Sequence, residues 1–473
     1  MKYTYKLIKI FIVTLTIFMI GSCEDILDTS SSRIGELSED QAFQNEQGFT
    51  SVMAAAYTEL EQLDYYARDF VLIPELLADN YTLTVANRGF LNAPPNNNGH
   101  VNIWREIYRG MLSINQILSR VDNLENREFA TRVEGEAKFL RALYYHDLVK
   151  SYGRNPRFLD SNIDAAQNGV PLVLTPTDLE QALELPRNSV QQVYAQIEAD
   201  LNDAINFLDD STSVLSNGSN DVFLASSVAA KALLSRVFLY QGKWEQAAQM
   251  ANEAINDSGL ELQDGTDLVG IYRDNSESIF VLQPDVANAF FSLAPFTTGD
   301  NVEIVLRQDM INAYEVGDMR KTQLTTEGNK SGENVTFSLK YNNYVSSQGI
   351  TNIPIIRLAE LILIRAEANL ENASSIGNSP LNDINSIRTR AGLSELVSVT
   401  MNDILNERRV ELAFEGHRFW DLKRRGLNIP KGVQGVDCQA ECTVQSNDFR
   451  IVAPILNREL VINPSLIQNP GYN

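Results

Sequence analysis

The strongest constraint on the fold is a spacing of apolar residues by three or four positions, which is the pattern of amphipathic α-helices. One such stripe runs from Trp104 to Leu118, a second from Val133 to Leu148, and a third from Val190 to Leu208. Gly153 and Pro156 follow the second stripe and predict where that helix ends. We expect the aromatic residues of these stripes to belong to the core. The pattern predicts a mainly α-helical protein.

Two segments resemble the paired helices of tetratricopeptide repeats. From Val228 to Ile255, small and large residues fall near the positions of such a pair, and Gly242 stands where the chain would turn. A second pair is predicted from Leu358 to Ile387, around a polar turn that contains proline. Because such pairs cannot bury their faces alone, they stack on neighbours. We expect several divergent pairs to form a scaffold.

Residues 260–350 have a different character. The β-prone runs Ser278–Gln283 and Val335–Tyr344 alternate with clusters of Gly, Asn, Asp and Pro, which predicts a few short strands and long loops. Tyr314 lies in a helix-like run, and we expect it to be structural. Loops on a rigid scaffold often carry recognition residues. The candidate ligand-binding residues are Asn80, Tyr81, Asn87, Arg88 and Phe90 in one irregular stretch, and Phe290, Phe291, Phe296, Tyr341 and Tyr344 in a second.

The first residues have the pattern of a secretory leader. A basic head with Lys2, Lys6 and Lys9 precedes an uncharged run of 11 residues, Ile10–Ile20, whereas a membrane-spanning helix needs about 20. Small residues then precede Cys23, as in the lipobox of bacterial lipoproteins. We therefore expect a signal peptide over residues 1–22, an acylated Cys23 and a polar tether over residues 23–38. The alternative is an ordinary secretory signal with a chance cysteine.

The charge of the chain excludes one class of partner. There are 61 acidic and 39 basic residues, which give a formal net charge of −22. Nucleic-acid binding needs clustered positive charge that displaces counterions from phosphates. We therefore do not expect a nucleic-acid partner.

Cysteine and histidine usage gives little support for a metal or a cofactor. Cys438 and Cys442 are four positions apart, and an oxidising compartment would favour a local disulfide between them. The three histidines, His100, His146 and His417, are widely separated and have no ligand spacing. We expect no metal site and no cofactor.

The common catalytic motifs are also missing from the sequence. There is no Gly-x-Ser-x-Gly elbow, no phosphate-binding loop, no dinucleotide fingerprint and no His-Glu-x-x-His helix. Glu407, Glu411 and Glu415 could suggest paired carboxylates for glycoside hydrolysis. Arginines lie beside them in sequence, so we interpret the three as a network of ion pairs on a helix surface.

Several longer motifs occur in order along the chain. Glu407–Gly426 reads ERRVELAFEGHRFWDLKRRG, Glu136–Gly153 contains LRALYY and DLV, Leu358–Leu370 contains Arg-x-Ala-Glu-x-x-Leu, and the chain ends with Asn463-Pro464 and Gln468–Tyr472. Together with Cys23, these motifs are similar to the signatures of the SusD/RagB family of outer-membrane lipoproteins. His146 and Ala453–Leu456 depart from the usual pattern. We expect Phe419 and Trp420 to be core residues and His417 to satisfy a buried hydrogen bond.

The resemblance implies a SusD-like fold in which residues 39–260 and 261–473 form one integrated globular unit. It further implies a lipid-anchored protein on the outer face of the outer membrane that binds an oligosaccharide or polysaccharide, or in some members a peptide. Such a protein is not an enzyme, and it delivers its ligand to a SusC-like TonB-dependent transporter. Two alternatives belong to other classes: a surface glycan-degrading enzyme, and a tetratricopeptide scaffold for outer-membrane assembly.

Overall fold

The computed structural model describes residues 43–83, 100–159, 168–176, 181, 184–208, 213–215, 221–283, 293, 303–330, 332–342, 351–431 and 442–472. Residues 50–473 group into one compact unit and residues 1–49 into another. Within the described ranges, every helix is too short or too polar to span a bilayer. The predicted signal peptide, Cys23 and the tether lie outside these ranges.

The described elements are helices and short strands, and helices predominate. In chain order these are α1 (Glu46–Thr58), α2 (Asp69–Leu76), β1 (Tyr81–Leu83), α3 (Trp104–Leu118), α4 (Arg127–Tyr152), α5 (Val190–Phe207), α6 (Ser227–Gln241), α7 (Trp244–Ser258), α8 (Gly270–Arg273), β2 (Ser278–Leu282), β3 (Ile304–Leu306), α9 (Gln308–Ala313), α10 (Met319–Leu324), β4 (Thr325–Lys330), β5 (Glu333–Ser338), β6 (Ile353–Arg357), α11 (Leu358–Glu371), α12 (Pro380–Arg390), α13 (Met401–Glu411), α14 (Arg418–Arg424), β7 (Ile429–Pro430), β8 (Thr443–Val444) and α15 (Asn457–Ile462). The mainly α-helical prediction is confirmed.

The three apolar stripes correspond to α3, α4 and α5. Helix α4 ends at Tyr152, and Gly153 follows it in an extended conformation, as the sequence predicted. Helix α5 begins after Ser189, whose side chain accepts the backbone N–H of Gln192. The Gln192 side-chain oxygen in turn accepts the backbone N–H of Ser189. This reciprocal capping satisfies two backbone donors that a helix start leaves without partners.

Both predicted helix pairs are present. Helices α6 and α7 are joined at Gly242, whose φ of 72° is a left-handed conformation that glycine adopts without a steric penalty. Helices α11 and α12 form the second pair. Helices α4, α5, α6, α7, α11 and α12 pack one against the next in that order, so the pairs stack into a continuous scaffold. A core cluster joins α11 and α12 to α13, and Ile255 of α7 packs against it; its buried residues are Leu358, Ile362, Leu363, Ala366, Ile384, Ile387, Ile404 and Leu412.

The described strands form two-stranded antiparallel sheets, with the pairs β1–β3, β2–β6, β4–β5 and β7–β8. The strand predicted over Ser278–Gln283 is confirmed as β2. The run predicted from Val335 to Tyr344 is a strand only as far as Ser338. Its partner β4 begins at Thr325, directly after α10, and Thr325 pairs with Ser338. Because β4 starts at Thr325, the register of the two strands ends at this pair, and one further backbone bond joins the Leu339 N–H to the Leu324 carbonyl at 2.8 Å.

Candidate ligand-binding site

The strand registers connect the two stretches in which ligand contacts were predicted. Strand β1 ends at Leu83, whose partner in the register is Ile304, the first residue of β3. Strand β2 ends at Leu282, whose partner is Ile353, the first residue of β6. The end of β1 therefore lies beside the start of β3, and the end of β2 lies beside the start of β6.

Further contacts join these attachment points. The Gln283 side chain donates to Asn352 Oδ1 at 3.0 Å, which ties the end of β2 to the start of β6. The Thr351 hydroxyl donates to the Tyr341 carbonyl at 3.3 Å. Strand β3 also packs against β5, which ends three residues before Tyr341. Leu83, Gln283, Tyr341 and Asn352, which lie next to the segments 84–99, 284–302 and 343–350, are therefore fixed by contacts between neighbouring strands and loops.

Three of the predicted ligand-binding residues lie in the core. Asn80, Tyr81 and Tyr341 are 0%, 1% and 0% exposed, so they present no face to a ligand in this structure. Their burial indicates that these three residues pack in the core. The other candidates, which lie outside the described residues, are Asn87, Arg88, Phe90, Phe290, Phe291, Phe296 and Tyr344.

Contacts within the core hold two of the buried candidates in place. The Tyr81 ring stacks on Phe414, with the ring centroids 4.4 Å apart and the planes inclined by 25°. The Asn80 amide donates to Glu75 Oε2 at 2.6 Å, and its oxygen accepts Arg409 Nε at 3.0 Å. Both ends of the Asn80 side chain are therefore fixed, and so is the start of β1.

Glu75 extends this anchorage to the signature segment. Its Oε1 accepts the backbone N–H groups of Gly416 and His417 at 3.0 Å and of Arg418 at 3.4 Å. Arg418 also forms an ion pair with Asp79. The role of Glu75 was missed from the sequence. A signal was available, because it is an acidic residue within the otherwise apolar end of α2.

Glu407 and Glu411 of α13 and Glu415, which follows that helix, belong to a buried charge cluster, which we define as Glu277, Glu407, Glu411, Glu415, Arg320, Lys340, Arg357 and Arg390. The sequence prediction of ion pairs is confirmed, but their predicted place on a helix surface was wrong, since all eight residues are buried. Their partners are cations from distant segments rather than the arginines adjacent to them in sequence.

The electrostatics of this cluster do not suit acid–base catalysis. Burial alone would raise the pKa of Glu415, but Arg357 and Lys340 outweigh it and hold the pKa at about 2. The pKa of Glu411 is likewise held well below its ordinary value by Arg390 and Arg357 against the effect of burial. A general acid for glycoside hydrolysis needs a raised pKa. The cluster therefore fits a structural role.

Glu136 has the opposite electrostatic setting. Burial raises the pKa of Glu136 to about 7, although its carboxylate accepts hydrogen bonds from Tyr57, Ser213 and the Val214 backbone N–H. The Tyr57 hydroxyl in turn accepts the Ala225 N–H at 2.9 Å. Glu136 thus connects helix α4 to α1 and to the segment 213–215, and through Tyr57 to Ala225.

This setting predicts a pH-dependent stability. Between the ordinary pKa of 4.5 and about 7, native Glu136 retains a proton that the unfolded chain releases. Stability should therefore fall as the pH rises through this window. In Glu136→Gln this contribution is absent, so the free energy of unfolding of the variant relative to the parent should increase by up to about 3 kcal/mol between pH 4.5 and 7.5. Urea denaturation at several pH values measures it.

A control for this experiment is Glu245→Gln, which removes an exposed carboxylate at the start of α7. The prediction concerns the pH dependence rather than the absolute stability, so a general effect of the substitution does not imitate it. A difference between Glu136→Gln and the parent that stays constant from pH 4.5 to 7.5 would contradict the assignment.

The remaining signature residues have mixed outcomes. Phe419 and Trp420 are confirmed as core residues, each 2% exposed. Burial lowers the pKa of the His417 imidazole to about 4, although Glu360 opposes this effect. The hydrogen bond predicted for its side chain stays a prediction.

Cys442 is disulfide-bonded, and Cys438 lies outside the described residues. Among the residues that the structure describes, no group of acidic, cysteine and histidine side chains could hold a metal ion.

Comparisons with known proteins agree with this architecture. Residues 317–472 match the model of the SusD family, and residues 20–239 match a SusD-like model described as starch-binding associating with outer membrane. The two matches do not overlap and together include both signature segments, α4 and α13–α14. The chain belongs to the SusD family. SusD-like protein P2 of Formosa agariphila is 25% identical and is matched over 99% of this chain and 100% of its own length.

Solved structures share the fold. A SusD superfamily protein from Bacteroides thetaiotaomicron VPI-5482 has a TM-score of 0.77 and 24% identity, with 90% of this chain and 100% of that chain covered. Surface glycan-binding protein A from Bacteroides fluxus has a TM-score of 0.72 and 24% identity, with the same coverage. The predicted SusD-like fold, with a helical scaffold and a few short strands, is therefore confirmed.

Proposed function

We propose that this SusD family chain is a lipid-anchored protein of the outer cell surface that binds an oligosaccharide or polysaccharide, without cleaving it. The bound glycan is then passed to a SusC-like TonB-dependent transporter of the outer membrane. Family membership and the glycan-binding description of a structural neighbour support this proposal.

The observation that carries the proposal is the register of the two sheets. It pairs Leu83, which precedes the segment 84–99, with Ile304 after the segment 284–302, and it pairs Leu282, which precedes the segment 284–302, with Ile353 after the segment 343–350. These segments contain the candidates that are not in the described core: Asn87, Arg88, Phe90, Phe290, Phe291, Phe296 and Tyr344. Aromatic faces pack against the C–H surfaces of sugar rings, and Asn and Arg donate to hydroxyl groups. We therefore propose that the glycan contacts both kinds of group.

The predicted acyl group on Cys23 gives delivery a physical basis. A tethered protein and its transporter in the same membrane have a high effective concentration for each other. A moderate affinity between binding protein and glycan is then sufficient for transfer. Copurification of a barrel transporter from outer membranes tests this part of the proposal.

Calorimetric titration of the purified chain with a panel of glycans and peptides tests binding. We expect at least one glycan to bind, and Phe90→Ala or Phe290→Ala to weaken it about tenfold, the loss of roughly one aromatic contact. Phe158→Ala is the matched control, because Phe158 is an exposed aromatic residue of the helical scaffold. Release of reducing ends from the bound glycan would favour an enzyme instead. The proposal fails if nothing in the panel binds and no transporter copurifies.

A further inference from the structure

An arginine and two aromatic side chains lie together at the turn that follows helix α4. Arg157 and Phe158 belong to the short 3₁₀ turn Pro156–Phe158. The centre of the Arg157 guanidinium lies 4.7 Å from the centre of the Trp244 ring and 5.2 Å from that of the Phe158 ring, which is within the range of cation–π attraction. With the neighbouring Leu427, we call Arg157, Phe158 and Trp244 the Arg157 patch. None of these residues belongs to the segments proposed to hold the glycan.

Two glycines leave room for these side chains. A Cβ atom at Gly242 would lie 2.9 Å from Cδ and Nε of Arg157, and one at Gly426 would lie 2.8 Å from the Phe158 ring. The Asn155 side chain fixes the turn, because its oxygen accepts the Arg157 backbone N–H at 3.0 Å and its amide donates to a carbonyl of α6 at 3.0 Å. The Arg157 patch is therefore preformed, which lowers the cost of binding.

The patch presents apolar surface to solvent. Phe158 is 46% exposed, and Leu427, which follows Gly426 in the chain, is 42% exposed. Trp244 is partly exposed, whereas the other two tryptophans are buried. Arginine, tryptophan and phenylalanine are enriched in protein–protein interfaces, and arginine and tryptophan contribute much of the binding energy there. The composition of the patch is thus that of a protein-binding surface.

The charge of Arg157 is not offset by a carboxylate. In the part of the chain that the structure describes, no carboxylate oxygen lies within 4.0 Å of its guanidinium nitrogens, and Nη1 donates to the Arg424 carbonyl at 3.3 Å. The acids nearby have other partners, since Glu371 pairs with Arg425 and Glu367 with Arg424 and Arg425. Burial and the charge of Arg425 lower the pKa of Arg157. A carboxylate placed beside Arg157 would therefore gain a charge-assisted hydrogen bond.

We propose that the Arg157 patch binds a partner protein through a segment in which a carboxylate stands beside an apolar side chain. The carboxylate accepts N–H groups of Arg157, and the apolar side chain packs on Phe158 and Leu427. The net charge of −22 repels an acidic partner at long range, but at physiological salt charges more than about 8 Å apart are largely screened. A sugar is a poorer match, because the guanidinium already covers one face of both aromatic rings.

The test is a saturation-transfer NMR titration of the purified full chain with the peptide acetyl-Gly-Phe-Glu-Leu-Gly-amide. We expect saturable binding, and about tenfold weaker binding when glutamine replaces the glutamate, the loss of roughly one charge-assisted hydrogen bond. The preference for glutamate should disappear in Arg157→Gln and be retained in part in Arg157→Lys. It should be unchanged in Arg458→Gln, which removes an exposed arginine elsewhere. Absence of saturable binding to the parent, or equal affinity for the two peptides, would overturn the proposal.

Phe158→Ala and Leu427→Ser test the apolar contacts of the patch. Both side chains are exposed, so the variants should fold, and each should weaken the two peptides by the same factor. The control is Val397→Ser, which removes an exposed apolar side chain elsewhere and should leave peptide binding unchanged. Equal weakening in the control and the patch variants would overturn the proposed apolar contacts. Glycan titrations of Arg157→Gln should match those of the parent, so failure of this proposal and failure of the glycan proposal give different results.

Discussion

Arg357→Met is expected to lower the free energy of unfolding by about 3–5 kcal/mol, because it removes one partner of a buried set of ion pairs. Arg357 donates to both carboxylate oxygens of Glu415 at 2.8 and 2.9 Å, to Glu411 at 2.8 Å and to Glu277 at 3.2 Å. Methionine matches the aliphatic part of the arginine side chain but carries no charge. Three buried carboxylates would therefore lose their shared cation.

Urea denaturation monitored by circular dichroism measures the effect. Arg357→Lys should be intermediate, since it retains the charge but cannot reproduce the forked geometry that reaches three carboxylates. The matched control is Arg273→Met, which removes an arginine paired with Asp267 and Asp274 at the surface and should leave the unfolding midpoint nearly unchanged. A midpoint for Arg357→Met as close to the parent as that of Arg273→Met would show that the cluster does not stabilise the fold.

The charge cluster also shows why part of this structure could not be predicted from the sequence. Glu407, Glu411 and Glu415 are spaced by four residues, and this spacing is the same for an exposed helix face and for a buried one. The buried case differs because Arg320 and Arg357, which lie in other elements, form ion pairs with these carboxylates in the folded protein. Because those contacts join residues far apart in the chain, no local sequence pattern predicts them.

The helices were predictable because their signal is local. The stripes in α3, α4 and α5 are set by the turn of the helix, and Gly242 marks the turn between α6 and α7 by a conformation that few other residues adopt. The candidate site was predictable only in part. Composition identified the irregular stretches, but the burial of Tyr81 depends on its stacking with Phe414, which lies 333 positions later in the chain.

Glu75→Ala is the second substitution with a large expected effect. The carboxylate accepts three backbone N–H groups at the start of α14 and the Asn80 amide, and all four donors would lose their partner. An unsatisfied buried donor costs about 1–3 kcal/mol. We therefore expect a loss of at least about 3 kcal/mol in urea denaturation, and weaker glycan binding, because Asn80 would no longer fix the start of β1.

Glu75→Gln separates the expected effect on stability from the expected effect on glycan binding. Its Oε1 can still accept the three N–H groups, but its amide nitrogen would face the Asn80 amide nitrogen, and two donors cannot bond. Asn80 cannot relieve this by turning over, since its oxygen already accepts Arg409 Nε. The glutamine variant should therefore retain most of the stability that alanine loses, yet share its weaker glycan binding. If Glu75→Gln binds glycan as tightly as the parent, the hydrogen bond between Asn80 and Glu75 does not position the segment 84–99 that we propose to bind glycan.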